Sequence, residues 1–478
     1  MDTNIEKRND NELYINISID KDDYSKEFKE VFHNYKDNVK AKGFRDKNIN
    51  IDVLFRDLGK KIFNNIINSK ISEEFKKIET ENKKNNLFLN YPVLVETSYK
   101  DKEIMTYNDF NNIKTLNFKY ISFTNEISNL EDICKKLKSL NLENLICTEI
   151  DKESLFKNSS KLLFSYYISK AITTPVENSA ILLTSTNNEE IVLSVGNTYI
   201  NNEPLDLLNK KLNDTININI NSASDINTND KILDYINLNG NITPGEKEFK
   251  ITKIFAKNSH LNIEDIINSL RIFIELRNKF PEKPWLSDFM NINIIHPEEF
   301  KNENNLITVE DHRLISEVFV YVSNYILSKI NIFNLKNSIL DVFNFSIPKE
   351  YIDGKLNMLG IENNINTNEE LIENFREIIK NEIILNSITE IIIADKNIEI
   401  TEDDIKNYIE IDNKMRDNQF DSILNNYYNK NSKHKFITSK NTYKELIIDS
   451  KIMYELKHLL NIPNKEISYK DFLTLTQI

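Results

Sequence analysis

Seven glycines serve a chain of 478 residues. Glycine takes positive φ without a Cβ penalty and lets backbone come close to backbone or phosphate. A chain this short of it has few easy tight turns and little freedom to build a phosphate cradle. Two of the seven, Gly43 and Gly59, frame a single stretch, Lys40 to Gly59, KAKGFRDKNINIDVLFRDLG. It opens with Lys40, Lys42, Arg45 and Lys47 crowded around Gly43-Phe44-Arg45 and then runs into an apolar, helix-like segment. In a chain of net charge -13, a basic tip carrying a phenylalanine reads as a docking device.

The length predicts roughly two to four domains. Charged residues at 28% and hydrophobic residues at 40% put the chain in the soluble globular class. Asparagine and lysine supply most of the polarity, isoleucine dominates the apolar set and alanine is scarce; an AT-rich genome produces that bias without functional meaning. The acidic balance argues against broad coating of nucleic acid, although a small basic surface can still bind phosphate. Cys134 and Cys147 form no disulfide framework and no zinc motif, so a reduced, cytoplasmic compartment is expected. The opening MDTNIEKRNDNELYIN lacks the apolar core of a signal peptide. No run of 18 apolar residues occurs anywhere, so no membrane span or membrane partner is expected.

Along the chain, Leu13, Ile15, Ile17 and Ile19 alternate with polar residues, as in a strand with one buried face. From Asp23 the spacing of Tyr24, Phe28, Val31, Phe32, Tyr35 and Val39 becomes helical. Gly43 ends that helix or its turn. A second helix follows Asn50, and strands are expected at Leu87–Leu89, Val93–Val95 and Leu116–Phe123. Residues 126–174 read as a helical linker. A strand-rich block over 175–255 has apolar runs at Ala180–Leu183, Ile191–Val195, Ile216–Ile220 and Phe249–Ile254, with a helix-like run from Pro204 to Leu212. Residues 256–478 read as helical, with capping-box pairs Asn262/Asp265, Thr308/Asp311 and Thr401/Asp404. Pro348 is expected to start or break a helix. A helix over Glu369–Ala394 has apolar residues on nearly two faces and must pack on both sides or leave apolar surface free. The fold class is therefore α+β and multidomain.

Catalytic signatures are missing from the sequence. There is no GxxxxGK[ST], no GxGxxG, no GxSxG and no HExxH, and the six histidines are scattered. No paired carboxylates stand out as an acid–base couple. This argues against an ATP-driven or hydrolytic enzyme, and no cofactor, metal or catalytic residue is expected. The loop itself has two readings. In one, Gly43 caps a helix, Phe44 enters the core and the lysines are solvated. In the other, Arg45 offers a forked donor to phosphate or carboxylate, Phe44 inserts at the contact, and Lys42 and Lys47 add a local field.

On these residues the chain resembles trigger factor, the bacterial ribosome-associated chaperone family. That family carries a Gly-Phe-Arg-Lys-x-Gly-x-Val-Pro-like loop followed at fixed distance by Tyr-Gly. Here Gly43-Phe44-Arg45 stands at its head and Leu58-Gly59 falls where Tyr-Gly is expected. Asp46 replaces a basic residue, Lys47 and Asn48 stand where glycine is usual, and Asn50 replaces proline. The resemblance implies that Gly43, Phe44, Arg45, Lys42 and Lys47 dock on the large ribosomal subunit at the exit tunnel, meeting ribosomal protein and rRNA, with Asp46 weakening the RNA contact. It implies nascent unfolded polypeptides as clients and admits a homodimer off the ribosome. Softer likenesses lie at Ser338–Tyr351 and Ile398–Ile405.

The resemblance further implies a ribosome-binding domain over 1–125 and an FKBP-type prolyl isomerase domain over 175–255. A helical C-terminal chaperone domain with arms would occupy 256–478. In the middle block the family's Gly-Phe step is replaced by Asn201-Asn202, a later glycine turn becomes Asn209–Asp214, and the aromatics are only Tyr199, Tyr235, Phe249 and Phe255. A degenerate isomerase domain is expected, since catalysis needs an aromatic-lined pocket to desolvate the imide. The alternatives are an active peptidyl-prolyl isomerase and a helical scaffold with no chaperone role.

Overall fold

The computed structural model describes residues 1–8, 11–38, 51–84, 91–98, 106–124, 129–238, 240, 242–257, 263–296, 307–359, 369–416, 420–436 and 442–477. The chain is α+β, and its C-terminal part is largely helical. Two compact units emerge. The first joins Met1–Asn141, Leu335–Glu399 and Ser432–Lys440; the second joins Leu142–Asn334, Ile400–Asn431 and Asn441–Ile478.

The first unit is built on an antiparallel sheet in the order Asp2–Lys7, Glu12–Asp20, Thr115–Phe123, Val93–Thr97. Successive side chains of a strand point to opposite faces. Ile15, Ile17 and Ile19 therefore pack with Tyr24, Phe28 and Phe32 of the helix Lys21–Asn38 and with Phe63, Ile67 and Phe75 of the helix Lys60–Lys84. On the opposite face Tyr14, Val93, Ile121 and Phe123 pack with Tyr351, Ile352, Leu356, Ile379 and Ile383. These last come from the helices Lys349–Met358, which starts directly after Pro348, and Glu369–Lys396. The sheet is thus covered on both faces, and so is the two-faced helix: Ile384, Ile388, Ile391 and Ile392 are buried as well. Gly354 permits the closest approach, since a Cβ there would lie 2.6 Å from Val93 Cγ1. The strand expected at Leu87–Leu89 and the cap at Asn262 lie outside the described residues.

In the second unit the four apolar runs of the middle block become one sheet. Its order is Thr215–Ile220, Gly245–Lys257, Ala180–Ser185, Glu190–Ser194, with Ile168–Ala171 also beside Gly245–Lys257. Ile181, Leu183, Ile191, Leu193, Ile218 and Phe249 form its core. The run from Pro204 to Leu212 is not helical. Glu203–Pro204 pairs with Tyr199–Ile200 across Asn201-Asn202, whose φ of 52° and 67° suits a two-residue hairpin turn. Asp206 then accepts from the Leu208 amide at 3.1 Å, a side-chain turn that competes with helix. Positive φ recurs at Asn178, Asn188, Asn213, Asn229, Asn397 and Asn461. Asparagine is the side chain best able to sit there, and it does the work that scarce glycine cannot.

Asparagine has a second structural use. The strand Asn144–Glu149 pairs in parallel with Asn464–Ser468. From the helix Val309–Val342, Asn331 accepts from the Leu145 amide and donates to its carbonyl, both at 3.0 Å. Asn324 treats Cys147 the same way at 2.7 and 2.8 Å. Asn237, on the helix Lys231–Leu238, does so for Val192, both bonds at 2.8 Å. A carboxamide carries an acceptor and donors side by side, so it can replace a neighbouring strand's peptide group. Helix starts follow the predicted caps: Thr308 accepts from the Asp311 amide and Thr401 from the Asp404 amide, each at 3.1 Å. Among the described residues no helix is long and apolar enough to cross a membrane.

Candidate functional site

Gly43, Phe44, Arg45, Lys42 and Lys47 lie outside the described residues, as do Lys40 and Asp46. The structure describes the two stems that carry them. The helix Lys21–Asn38 leads in; the turn Ile51–Leu54, a π-helical turn Phe55–Gly59 and the helix Lys60–Lys84 lead away.

Both stems are clamped by one aromatic cluster. Phe28 stacks on Phe32 at 5.3 Å and lies 4.2 Å from Phe110. Phe55 meets Phe32 edge-on at 6.2 Å and Phe110 at 5.6 Å, while Tyr107 stacks on Phe32 at 5.7 Å. Phe28, Phe32, Phe55 and Phe110 are fully buried. Such ring contacts add about 0.5–1.5 kcal/mol each beyond area burial. Asp52 accepts from the Tyr107 amide at 2.9 Å, tying the outgoing stem to the helix Tyr107–Asn112.

Gly59 closes the π-turn, a feature that often marks functional sites. A Cβ on it would lie 2.5 Å from Phe55 Cδ2 and 3.2 Å from Phe32 Cε2. The landmark glycine is therefore required by the rings behind the loop. Tyr35 and Val53, one on each stem, are exposed. The arrangement is a rigid base on either side of residues 39–50, and among its described residues there is no acid, base or nucleophile set up for chemistry.

Elsewhere the reactive residue types are structurally occupied. Burial pushes the Cys147 thiol up to about 12 and also raises Cys134, the opposite of nucleophile activation. His312 is fully buried, and burial lowers its pKa to about 4. Among the described residues no group of three His, Cys, Asp or Glu could hold a metal. In the middle block Tyr235, Phe249 and Phe255 are buried and only Tyr199 is exposed. Phe255 faces Phe164 edge-on at 5.5 Å. Lys329, which lies within the apolar stripe of Val309–Val342, is a buried cation that no motif singles out.

Residues 1–153 match the family model described as "Bacterial trigger factor protein (TF)", a span that holds the basic corner and both stems. No curated protein matches the chain. A solved structure from work on promiscuous substrate recognition in folding and assembly by the trigger factor chaperone aligns with 96% of this chain and 99% of its own. Its identity is 11% and the TM-score 0.32. Over residues 1–153 the chain is similar to the bacterial trigger factor family.

Proposed function

We propose that this protein is an ATP-independent holdase and folding chaperone that docks beside the exit tunnel of the large ribosomal subunit. Phe44 and Arg45 make the contact, with Lys42 and Lys47 as electrostatic support and Gly43 shaping the loop. Residues 1–125 are the docking domain, 126–174 the linker, 175–255 a degenerate FKBP-type-like spacer and 256–478 the client-binding domain. The observation that carries the reading is the family match over residues 1–153, which spans the corner.

Client binding needs no nucleotide. Apolar side chains such as the adjacent Met358 and Leu359, and Ile295 and Val309, are exposed. Burying roughly 100–200 Å² at such a point is worth about 2.5–5 kcal/mol at ~25 cal/mol per Å². Weak sites of that kind release quickly, and affinity comes from several acting together with ribosome tethering. The buried Tyr235, Phe249 and Phe255 favour a middle block without prolyl isomerase activity, which a prolyl-peptide assay reads. The docking claim is tested by cosedimentation with ribosomes. The Phe44→Ala/Arg45→Ala protein is expected to stay in the supernatant while wild type pellets; equal pelleting would end the claim.

A further inference from the structure

The second unit holds a cavity of about 280 Å³ whose wall includes Lys329, Tyr325, Tyr408, Trp285, Phe289 and Met453. Lys329 is 8% exposed. Its ammonium donates to the Tyr408 hydroxyl and lies 4.7 Å from the ring centroids of both Tyr325 and Tyr408. It forms no ion pair with a carboxylate among the described residues.

The acids nearby are engaged or outside. Asp412 accepts from the Tyr325 hydroxyl at 2.6 Å and pairs with Arg416 at 3.2 Å. Asp288, on the cavity wall, holds Lys457 at 2.6 Å, and Glu466 is exposed. Three asparagines of the wall bond to one another: Asn331 donates to Asn144 at 2.9 Å, and Asn144 to Asn464 at 2.7 Å.

An ammonium taken out of water without a counter-charge costs several kcal/mol. Two tyrosine faces return only about 1–2 kcal/mol each. A hydrophobic residue of the same length would be the more stable occupant of such a position, unless something that enters the cavity supplies the missing negative charge.

We propose that this cavity binds a small organic monocarboxylate with an apolar body. The carboxylate pairs with Lys329 Nζ and the body lies against Trp285, Phe289 and Met453. Of the two lysines on the wall, Lys457 is already paired with Asp288, which leaves Lys329 as the cation to be matched; with Asp288 and Glu466 at the margin, a dianion is disfavoured. The volume of about 280 Å³ falls just below the roughly 300–1,000 Å³ of small-molecule sites, which fits a short acid or the last residue of a peptide. Both sources present the same group, an unshared carboxylate on an apolar stem.

Trp285 is the chain's one tryptophan, so its fluorescence reads occupancy of the cavity directly. The full chain is titrated with hexanoate, with hexanamide as the neutral control, and with an apolar tetrapeptide bearing a free or an amidated C-terminus. Calorimetry provides a second readout. Saturable binding of the acid is expected, with the matching amide at least about tenfold weaker. A response to hexanoate alone identifies a free acid as ligand, and a response to the free-ended peptide identifies a chain terminus. Lys329→Met is expected to abolish binding of either acid while raising the melting temperature of the ligand-free protein, which separates loss of the charge from loss of the fold. Amide binding equal to acid, retained binding in Lys329→Met, a lowered melting temperature in that variant, or no saturable response to any acid would overturn the proposal. No ribosome is present in these titrations, so the outcome is independent of the docking reading.

Discussion

Gly59 and His312 show how much a single position can decide. Replacing a glycine by alanine inside a helix ordinarily gains about 1 kcal/mol. At Gly59 the new methyl group would sit 2.5 Å from a ring carbon of Phe55, and Phe55 cannot retreat because it is enclosed by Phe28, Phe32 and Phe110. Overpacking of this kind costs about 1–3 kcal/mol, so the clash wins. Gly59→Ala is expected to destabilise the first unit and to speed hydrogen exchange in the helix Lys21–Asn38. Unchanged protection there would mean the rings have room to move.

His312 makes a pH prediction. It is buried between Phe156 at 5.1 Å and Tyr235 at 6.3 Å, and desolvation lowers its pKa from 6.5 to about 4 against the opposing pull of Asp311. The unfolded chain therefore binds the proton first. The stability that His312 contributes as a neutral ring is complete above pH 6.5 and is lost as pH falls toward about 4. It amounts to about 3 kcal/mol at most. His312→Phe is expected to remove that share of the acid sensitivity, read as the wild-type minus variant difference in denaturation midpoint across the window.

At the scale of elements, periodicity made most of the architecture legible. The strands at Leu13–Ile19, Ala180–Leu183, Ile191–Val195, Ile216–Ile220 and Phe249–Ile254 announce themselves by alternation or by short apolar runs, and each is present. The strand Asn144–Glu149 does not, because its hydrogen-bonded neighbour Asn464–Ser468 is about 320 residues away and no local signal encodes such a pairing. The asparagines at 324 and 331 were equally silent: a polar residue on an apolar helix stripe looks like noise until the strand backbone is beside it. The candidate site was readable as a spacing, Gly43 to Gly59, while the reason for its second glycine lies in the buried ring of Phe55. The Asn237 pairing gives a prediction at this scale. Asn237→Leu leaves the Val192 amide and carbonyl without their side-chain partners, and Val192 is only 4% exposed. Each orphaned group costs about 1–3 kcal/mol, so a loss of roughly 2–6 kcal/mol is expected. Asn237→Asp should fare little better, since a carboxylate cannot donate to the Val192 carbonyl. Denaturant titration checks both.

For the molecule as a whole, charge and connectivity set the terms. Each unit is assembled from three separate stretches, which periodicity cannot report. Under the docking proposal, the net charge of -13 makes ribosomal RNA a repulsive surface except near the basic stretch. There Lys40, Lys42, Arg45 and Lys47 outnumber Asp46 by three. Counterion release then predicts that the logarithm of ribosome affinity falls with the logarithm of salt at a slope of roughly -2 to -3. A much steeper slope in cosedimentation across a salt series would show that cations far from the corner take part. The helix carboxamides that close off Leu145, Cys147 and Val192 have one more consequence under the chaperone reading. A protein surrounded by extended, unfinished chains is in constant danger of fouling, because any bare strand edge would zip onto a client and not let go. Here those peptide groups are occupied by asparagine, and the outer strand Asp2–Lys7 carries Asp2, Glu6 and Lys7, charges that discourage pairing. At these edges clients are left with side chains to hold, which is a grip that loosens by itself.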